Sequence, residues 1–246
     1  KGDGSIIDLR EKEKIVVALN ENFTRTVIGP TAVTVDGQGT LFIGDSSHIV
    51  RIDSFGRATN LLKLNESTTM SRYFLALSNN NDHLFLSDPT QKRILKIPVV
   101  IPRHRTAQDN FELFAGSGEI CTVMDKESCG DGGPASLAKL VYPKGLAVNR
   151  EDELIFVDGN RVRKVDRLGQ ISTLAGRQKM ASEWKPALCG GDLKVGEANF
   201  NWPTDIAVDP VTNEPVLIDQ GAIYRITNEG TIVEVLNTEV NRALNN

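Results

Sequence analysis

Short apolar runs, each closed by turn residues, recur along the chain in a fixed order. The clearest run is the one that ends in an aspartate: Leu41-Phe42-Ile43-Gly44-Asp45, Leu84-Phe85-Leu86-Ser87-Asp88, Leu154-Ile155-Phe156-Val157-Asp158 and Pro215-Val216-Leu217-Ile218-Asp219. An apolar stretch precedes each copy, at residues 30–35, 73–77, 143–148 and 203–208, and another follows it, at 48–53, 93–97, 161–166 and 222–227. A fourth run closes each unit, at 59–62, 111–115, 171–175 and 232–236. Runs of this length, rich in Val, Ile, Leu and Phe and bounded by turn chemistry, predict strands and not helices. The separators fit, among them Asp36-Gly37-Gln38-Gly39 and Asn79-Asn80-Asn81-Asp82.

Four short strands per unit, repeated four times, predict antiparallel meanders. The second strand of each unit is apolar at consecutive positions, so both of its faces are covered. A meander covered on both sides by copies of itself is a propeller blade. The expected architecture is all-β, with four-stranded blades at about residues 30–65, 72–116, 142–176 and 202–236. Ahead of them, residues 1–29 offer strands at 15–19 and 26–29 that imitate the tail of another unit. The chain is therefore expected to be an arc of a larger propeller, with a partial blade at its N-terminus and blades over 30–246. The rival is a closed four-bladed barrel.

Two residue types recur with the strands. Asp45, Asp88, Asp158 and Asp219 each end the second strand, where a carboxylate can accept hydrogen bonds from the backbone of the turn that follows. On that reading, replacing Asp158 costs roughly 0.5–2 kcal/mol, by analogy with a helix cap. A ring of metal ligands would need the four to converge, and equivalent turns on successive blades give no reason for that. Arg51, Lys96, Lys164 and Arg225 recur on the third strand and are expected to lay their stems along apolar surface.

Composition narrows the function. With 28 Lys and Arg against 32 Asp and Glu, the net charge is −4, which argues against a nucleic-acid surface. Aromatic residues are 6 %, too few for a base-stacking platform of the RNA-binding kind. No apolar run reaches the length of a membrane span and no secretory leader is visible, so this segment is expected to make no membrane contact itself. The three histidines, His48, His83 and His104, fall in two hairpin turns and a basic loop, away from the inner strands. The inner strands offer Thr34, Ala147 and Ala207, poor ligands for a catalytic metal. A metal-dependent lyase or lactonase of propeller type is the main alternative function and is disfavoured on this ground. No cofactor is expected.

The cysteines speak to compartment. Cys121 and Cys129 lie within a glycine-bearing loop, 118–133, between the second and third blades, where a short disulfide would act as a staple; two free thiols are the alternative. A zinc site lacks further ligands at a suitable spacing. Cys189, in the insert 178–197, is expected to pair with neither. Asn22-Phe23-Thr24 and Asn65-Glu66-Ser67 are glycosylation acceptors, and Asn65 lies in a polar link between blades, so it is the better candidate. Together these features point outside the cell. Trp184, in the same polar insert, is the candidate partner contact, whereas Trp202, before Pro203, is expected to wedge between blades.

The repeat resembles the NHL repeat, and the stretch from residue 115 to 205 resembles the teneurins. The motifs that carry the likeness are Ala115-Gly116-Ser117-Gly118-Glu119, Cys129-Gly130-Asp131-Gly132-Gly133, Tyr142-Pro143-Lys144-Gly145, Ile155-Phe156-Val157-Asp158-Gly159 and Trp202-Pro203-Thr204-Asp205. The resemblance covers about residues 30–236. It implies part of the ectodomain of a type II single-pass membrane protein, on the extracellular side of the plasma membrane. It further implies a non-enzymatic cell-adhesion module of neural development, whose partners are proteins: a like receptor in homophilic contact, and a latrophilin-type receptor through the larger ectodomain. In that family a cysteine-bearing segment precedes the first blade, and here residues 11–29 contain no Cys.

Overall fold

The computed structural model describes residues 30–45, 47–64, 72–122, 129–177 and 193–237, and the backbone of 18–19 and 23–24. The strands are β1 (Ala18–Leu19), β2 (Phe23–Thr24), β3 (Ala32–Val35), β4 (Leu41–Gly44), β5 (His48–Ile52), β6 (Ala58–Lys63), β7 (Phe74–Leu77), β8 (His83–Asp88), β9 (Arg93–Pro98) and β10 (Glu112–Ala115). They continue with β11 (Pro143–Val148), β12 (Leu154–Asp158), β13 (Arg161–Val165), β14 (Ile171–Gly176), β15 (Leu193–Lys194), β16 (Pro203–Val208), β17 (Pro215–Asp219), β18 (Ala222–Ile226) and β19 (Thr231–Asn237). Four meander sheets result, β3-β4-β5-β6, β7-β8-β9-β10, β11-β12-β13-β14 and β16-β17-β18-β19. In the last, β15 adds to the outer edge by pairing with β19. The N-terminal part contributes a two-stranded ribbon, β1-β2, lying against β6.

Register confirms the unit. Phe42 faces Arg51, Phe85 faces Lys96, Ile155 faces Lys164 and Val216 faces Arg225, so all four cations hold one position. The second blade differs in its hairpin. Asp88 pairs with Arg93 across four loop residues, whereas Asp158 pairs with Arg161 across two. Each outer strand also carries a bulge at one place, at Leu61, Phe114, Leu174 and Val235. One unpaired residue there sharpens the local twist of the blade edge.

Three apolar seams join consecutive blades. Phe42, Ile49, Leu61 and Leu62 of the first pack on Leu84, Leu86, Leu95 and Ile97 of the second. Ala76, Phe85 and Ile94 meet Leu146, Phe156, Val165 and Ile171. Ala147, Ile155, Val157 and Val162 meet Ile206, Leu217, Ile226 and Ile232. Among the described residues no seam joins the fourth blade to the first. Instead Ile218 and Leu236 are exposed where the third blade buries Val157 and Ala175, and Val33 is exposed where the third blade buries Leu146. The four blades are an open arc of a propeller. Residues of all four inner strands still line one open cavity of about 410 Å³, so the arc curves about a common axis.

Two of the four recurring cations have carboxylate partners. Lys164 Nζ bonds both Glu153 oxygens at 2.9 Å, and Arg225 reaches Asp209 at 3.4 Å and Glu214 at 3.7 Å. The inner turns thus supply carboxylates to the third strand.

The tightest seam is between the third and fourth blades. A Cβ on Gly145 would lie 2.5 Å from Asp205 Cα and 2.8 Å from Ile206 N, which no ordinary contact allows. Glycine is needed here for close approach. We expect Gly145→Ala to destabilise the protein by about 1–3 kcal/mol or more through overpacking. Gly37→Ala, with nothing within 4 Å of its Cβ, serves as the control and should change little. Urea denaturation of both variants checks this; equal midpoints would contradict the seam.

Candidate interaction surface

The channel side is lined by the inner strands and their turns, with Asp36, Ser78, Asn79 and Asn81 among the lining residues. Thr34, Ala76, Ala147 and Ala207 occupy equivalent inner-strand positions and line the common cavity. Among the described residues no group of three or more His, Cys, Asp or Glu is placed to hold a metal. His48 is buried beside Ser47, His83 contacts Asp82, and His104 is exposed in a turn. The four recurring aspartates do not gather into a metal site either.

Those aspartates divide into two kinds. Asp45 accepts from Ser47 N at 2.8 Å and His48 N at 2.7 Å, and Asp88 accepts from Gln91 N at 3.2 Å, as a turn-capping carboxylate should. Asp158 and Asp219 instead reach across to the segment entering their own blade. Asp158 Oδ1 accepts from Val141 N at 2.7 Å and Tyr142 N at 2.9 Å. Asp219 accepts from Asn201 N and Trp202 N, both at 2.7 Å. The expectation of a local turn is therefore corrected for these two, because the free N–H groups just ahead of the inner strand are the better-placed donors. Other carboxylates cap the turns between the third and fourth strands: Asp53 holds Phe55 N and Arg57 N, and Asp166 holds Leu168 N and Gln170 N.

Asp158 has a second duty. Its Oδ2 takes the guanidinium of Arg161 at 3.5 Å and that of Arg163 at 3.4 Å, and all three groups are buried. Arg163 is fully enclosed, where the other blades place Val50, Leu95 and Tyr224. It bonds Asp131 at 2.6 Å, Lys139 O at 3.0 Å and Cys129 O at 3.3 Å. Burial lowers the Arg161 pKa, and the Asp158 charge opposes that shift. Arg161 also lies 3.5 Å from Cys121 Sγ. Cys121 and Cys129 are disulfide-bonded, with their Cα atoms 5.7 Å apart. Gly132 N and Gly133 O pair with Ile171, and Ala135, Ala138 and Leu140 enter the seam between the second and third blades. The segment from Cys129 to Leu140 is thus part of the core, held by two buried arginines.

Next to this loop two aromatic rings come together. Tyr142 and Trp202 hold the same position in successive blades, one residue before the inner-strand proline. Their centroids are 6.2 Å apart with the planes at 34°. Both rings are open to solvent, Tyr142 by 44 % and Trp202 by 47 %, so Trp202 is not wedged between blades as the sequence suggested. Beneath them Lys144 is only 4 % exposed. Its Nζ lies 3.7 Å from the Trp202 centroid and 5.7 Å from that of Tyr142, and donates to Pro203 O at 2.8 Å. Burial pushes the Lys144 pKa down to about 8, and the Asp219 carboxylate opposes the shift. Asp205 as a residue is exposed, yet its Oδ1 turns into the seam against Gly145; desolvation raises its pKa and the Ile206 N–H holds it down.

The ring pair was legible only as a repeat of aromatic-Pro at matching positions. Nothing local marked Lys144 as buried. The sequence-derived candidates Trp184, Asn22 and Asn65 lie outside the residues whose side chains are described, as does Cys189.

Meanders of this register, arranged in an arc around a shared channel and stapled on one face, define an NHL-type β-propeller. Comparison with known proteins agrees. The profile of the teneurin NHL domain matches residues 18–241. Teneurin-m of Drosophila melanogaster is 36 % identical over 247 residues, covering 94 % of this chain and 9 % of its own length. Teneurin-3 of Danio rerio is 36 % identical over 201 residues, covering 82 % and 7 %. The chain belongs to the teneurin NHL domain family, and it spans less than a tenth of the length of these relatives. Among solved structures, a protein of unknown function from Bacteroides thetaiotaomicron superposes with a TM-score of 0.55 at 24 % identity, covering 82 % of this chain and 46 % of its own. A streptogramin B lyase superposes at 0.50 with 15 % identity, covering 84 % and 54 %. Identities this low carry the fold and no activity. Among the described residues no helix is long and apolar enough to cross a membrane.

Two outcomes follow from the clamp and the lysine. Asp158→Ala leaves the buried Arg161 without its nearest anion and Arg163 with Asp131 alone, so the loss should be nearer about 3–5 kcal/mol than the cost of a turn cap. Asp45→Ala should stay within about 0.5–2 kcal/mol; equal losses in chemical denaturation would refute the distinction. For Lys144, the unfolded chain keeps its proton up to its ordinary value of 10.5, while the folded chain loses it near 8. Between these values the unfolded state binds more protons, so this group makes stability rise with pH, and below pH 8 it adds no slope. Lys144→Met should remove that rise, measured as unfolding free energy at pH 7.5, 9 and 10 against the unchanged protein.

Proposed function

We propose that this segment is a non-enzymatic protein-recognition module in the ectodomain of a teneurin-like adhesion receptor, on the extracellular side of the plasma membrane. Its role is contact with a second receptor of the same kind on an apposed cell, with a latrophilin-type receptor engaged through the larger ectodomain. The observation that carries this reading is the rigid face beside the staple. Two exposed aromatic rings, each fixed at its backbone by an aspartate, follow a segment, 129–140, that is anchored by the Cys121–Cys129 disulfide and enters the core. Trp and Tyr held in this way are the residues that dominate protein interfaces, since little side-chain freedom is lost when they are covered. A disulfide suits an oxidising compartment, which supports the extracellular assignment. The channel residues Thr34, Ala76, Ala147 and Ala207 give a metal no purchase, which supports a binding role over a lyase role.

The test uses non-adherent cells that display the full-length receptor. Cells carrying the natural sequence should aggregate, and cells carrying Tyr142→Ala with Trp202→Ala, displayed at equal surface density, should aggregate at least several-fold less. Unchanged aggregation by the double variant would remove this face from recognition, and no aggregation by the natural receptor would refute the homophilic reading.

A further inference from the structure

We infer that the Tyr142–Trp202 pair is a platform for a carbohydrate ring, so that what this face takes from a partner is a neutral glycan. The inference rests on the recognition surface proposed above and specifies its chemistry. The first argument is electrostatic. Lys144 Nζ sits 3.7 Å from the Trp202 centroid and is buried, so one face of the indole already holds a cation. A second cation over the same ring system would be repelled, which disfavours a Lys, Arg or quaternary ammonium group as the occupant. The weakly positive C–H face of a sugar is still attracted to the exposed π surface and contributes apolar contact besides.

The second argument is the rim. Asn201 and Gln220 bond each other through their amides beside Trp202, and on β16 Thr204 is exposed while Asp205 beyond it has one oxygen engaged by Ile206 N. Amide, hydroxyl and carboxylate groups supply donors and acceptors together, as a ring of hydroxyls requires. A proline-rich peptide, the other common occupant of exposed aromatics, offers mostly carbonyl acceptors and few donors, so it would answer only half of such a rim. The third argument is rigidity. Asp158 and Asp219 fix both ring-bearing residues through their backbone N–H groups, so the platform exists before the ligand arrives.

Saturation-transfer NMR on the intact protein tests this, with lactose and chitotriose as separate probes and a proline-rich peptide as the rival. We expect at least one sugar to receive saturation, strongest on the axial C–H face of one ring. Trp202→Ala should weaken binding at least tenfold, and Trp202→Phe, which keeps a ring and guards against a folding defect, by only a few-fold. Asn201→Ala, with both rings intact, should lose about threefold to tenfold. Absence of saturation on both sugars overturns the inference. So does binding that survives Trp202→Ala, or binding of the peptide alone. None of those outcomes touches the aggregation result, which reads protein contact whether or not a sugar takes part.

Discussion

Each blade in this protein must bury both faces of a four-stranded sheet, and most other features follow from that requirement. A sheet of short strands has too little area on one side to be stable alone. Packing Phe42, Phe85 and their counterparts between consecutive sheets turns weak units into a cooperative stack. The same requirement explains Gly145, where the inner strands approach so closely that no Cβ fits. It also explains the bare residues at the two ends of the arc, Val33 on one side and Ile218 with Leu236 on the other. These are core positions by register and surface positions by circumstance.

The third blade departs from its copies in a way that shows how a repeat acquires a special site. A long connection enters it, stapled by Cys121–Cys129, and the space that a neighbouring apolar residue would fill is taken by Arg163. A fully buried guanidinium is costly unless its charge and N–H groups are answered. Here Asp131 and Asp158 answer the charge, and two backbone carbonyls answer part of the remainder. Asp158 thereby links the loop, the third strand and the backbone of Tyr142. The apolar equivalents in the other blades, Val50 and Leu95, need no such arrangement.

The surface beside that clamp owes its shape to the repeat. Equivalent aspartates at the ends of β12 and β17 pin equivalent entering segments, and this brings two aromatic residues 60 positions apart in the chain into one pair. Lys144 closes the arrangement from beneath, bridging to the next blade through Pro203 O. Its buried ammonium depends on the Trp202 face and the Asp219 carboxylate together, so the ring pair and the seam are coupled.

The sequence by itself determined the blade count, the strand order and the register of the recurring cations, because short apolar runs and turn chemistry are local properties written out four times. It favoured an arc over a closed four-bladed barrel, and the exposed Val33, Ile218 and Leu236 are what the structure adds to that choice. What only the tertiary structure decided were relations between units. The partners of Asp158 and Asp219 lie 16 to 18 residues away, so a local turn was the natural reading and the entering segment was invisible. Nothing local marks Arg163 as buried; its partners come from the segment 129–139. Trp202 reads as core until its neighbour Lys144 is found to occupy the buried place below it. In each case the deciding quantity is desolvation of a charge by residues distant in the chain, which no local pattern carries.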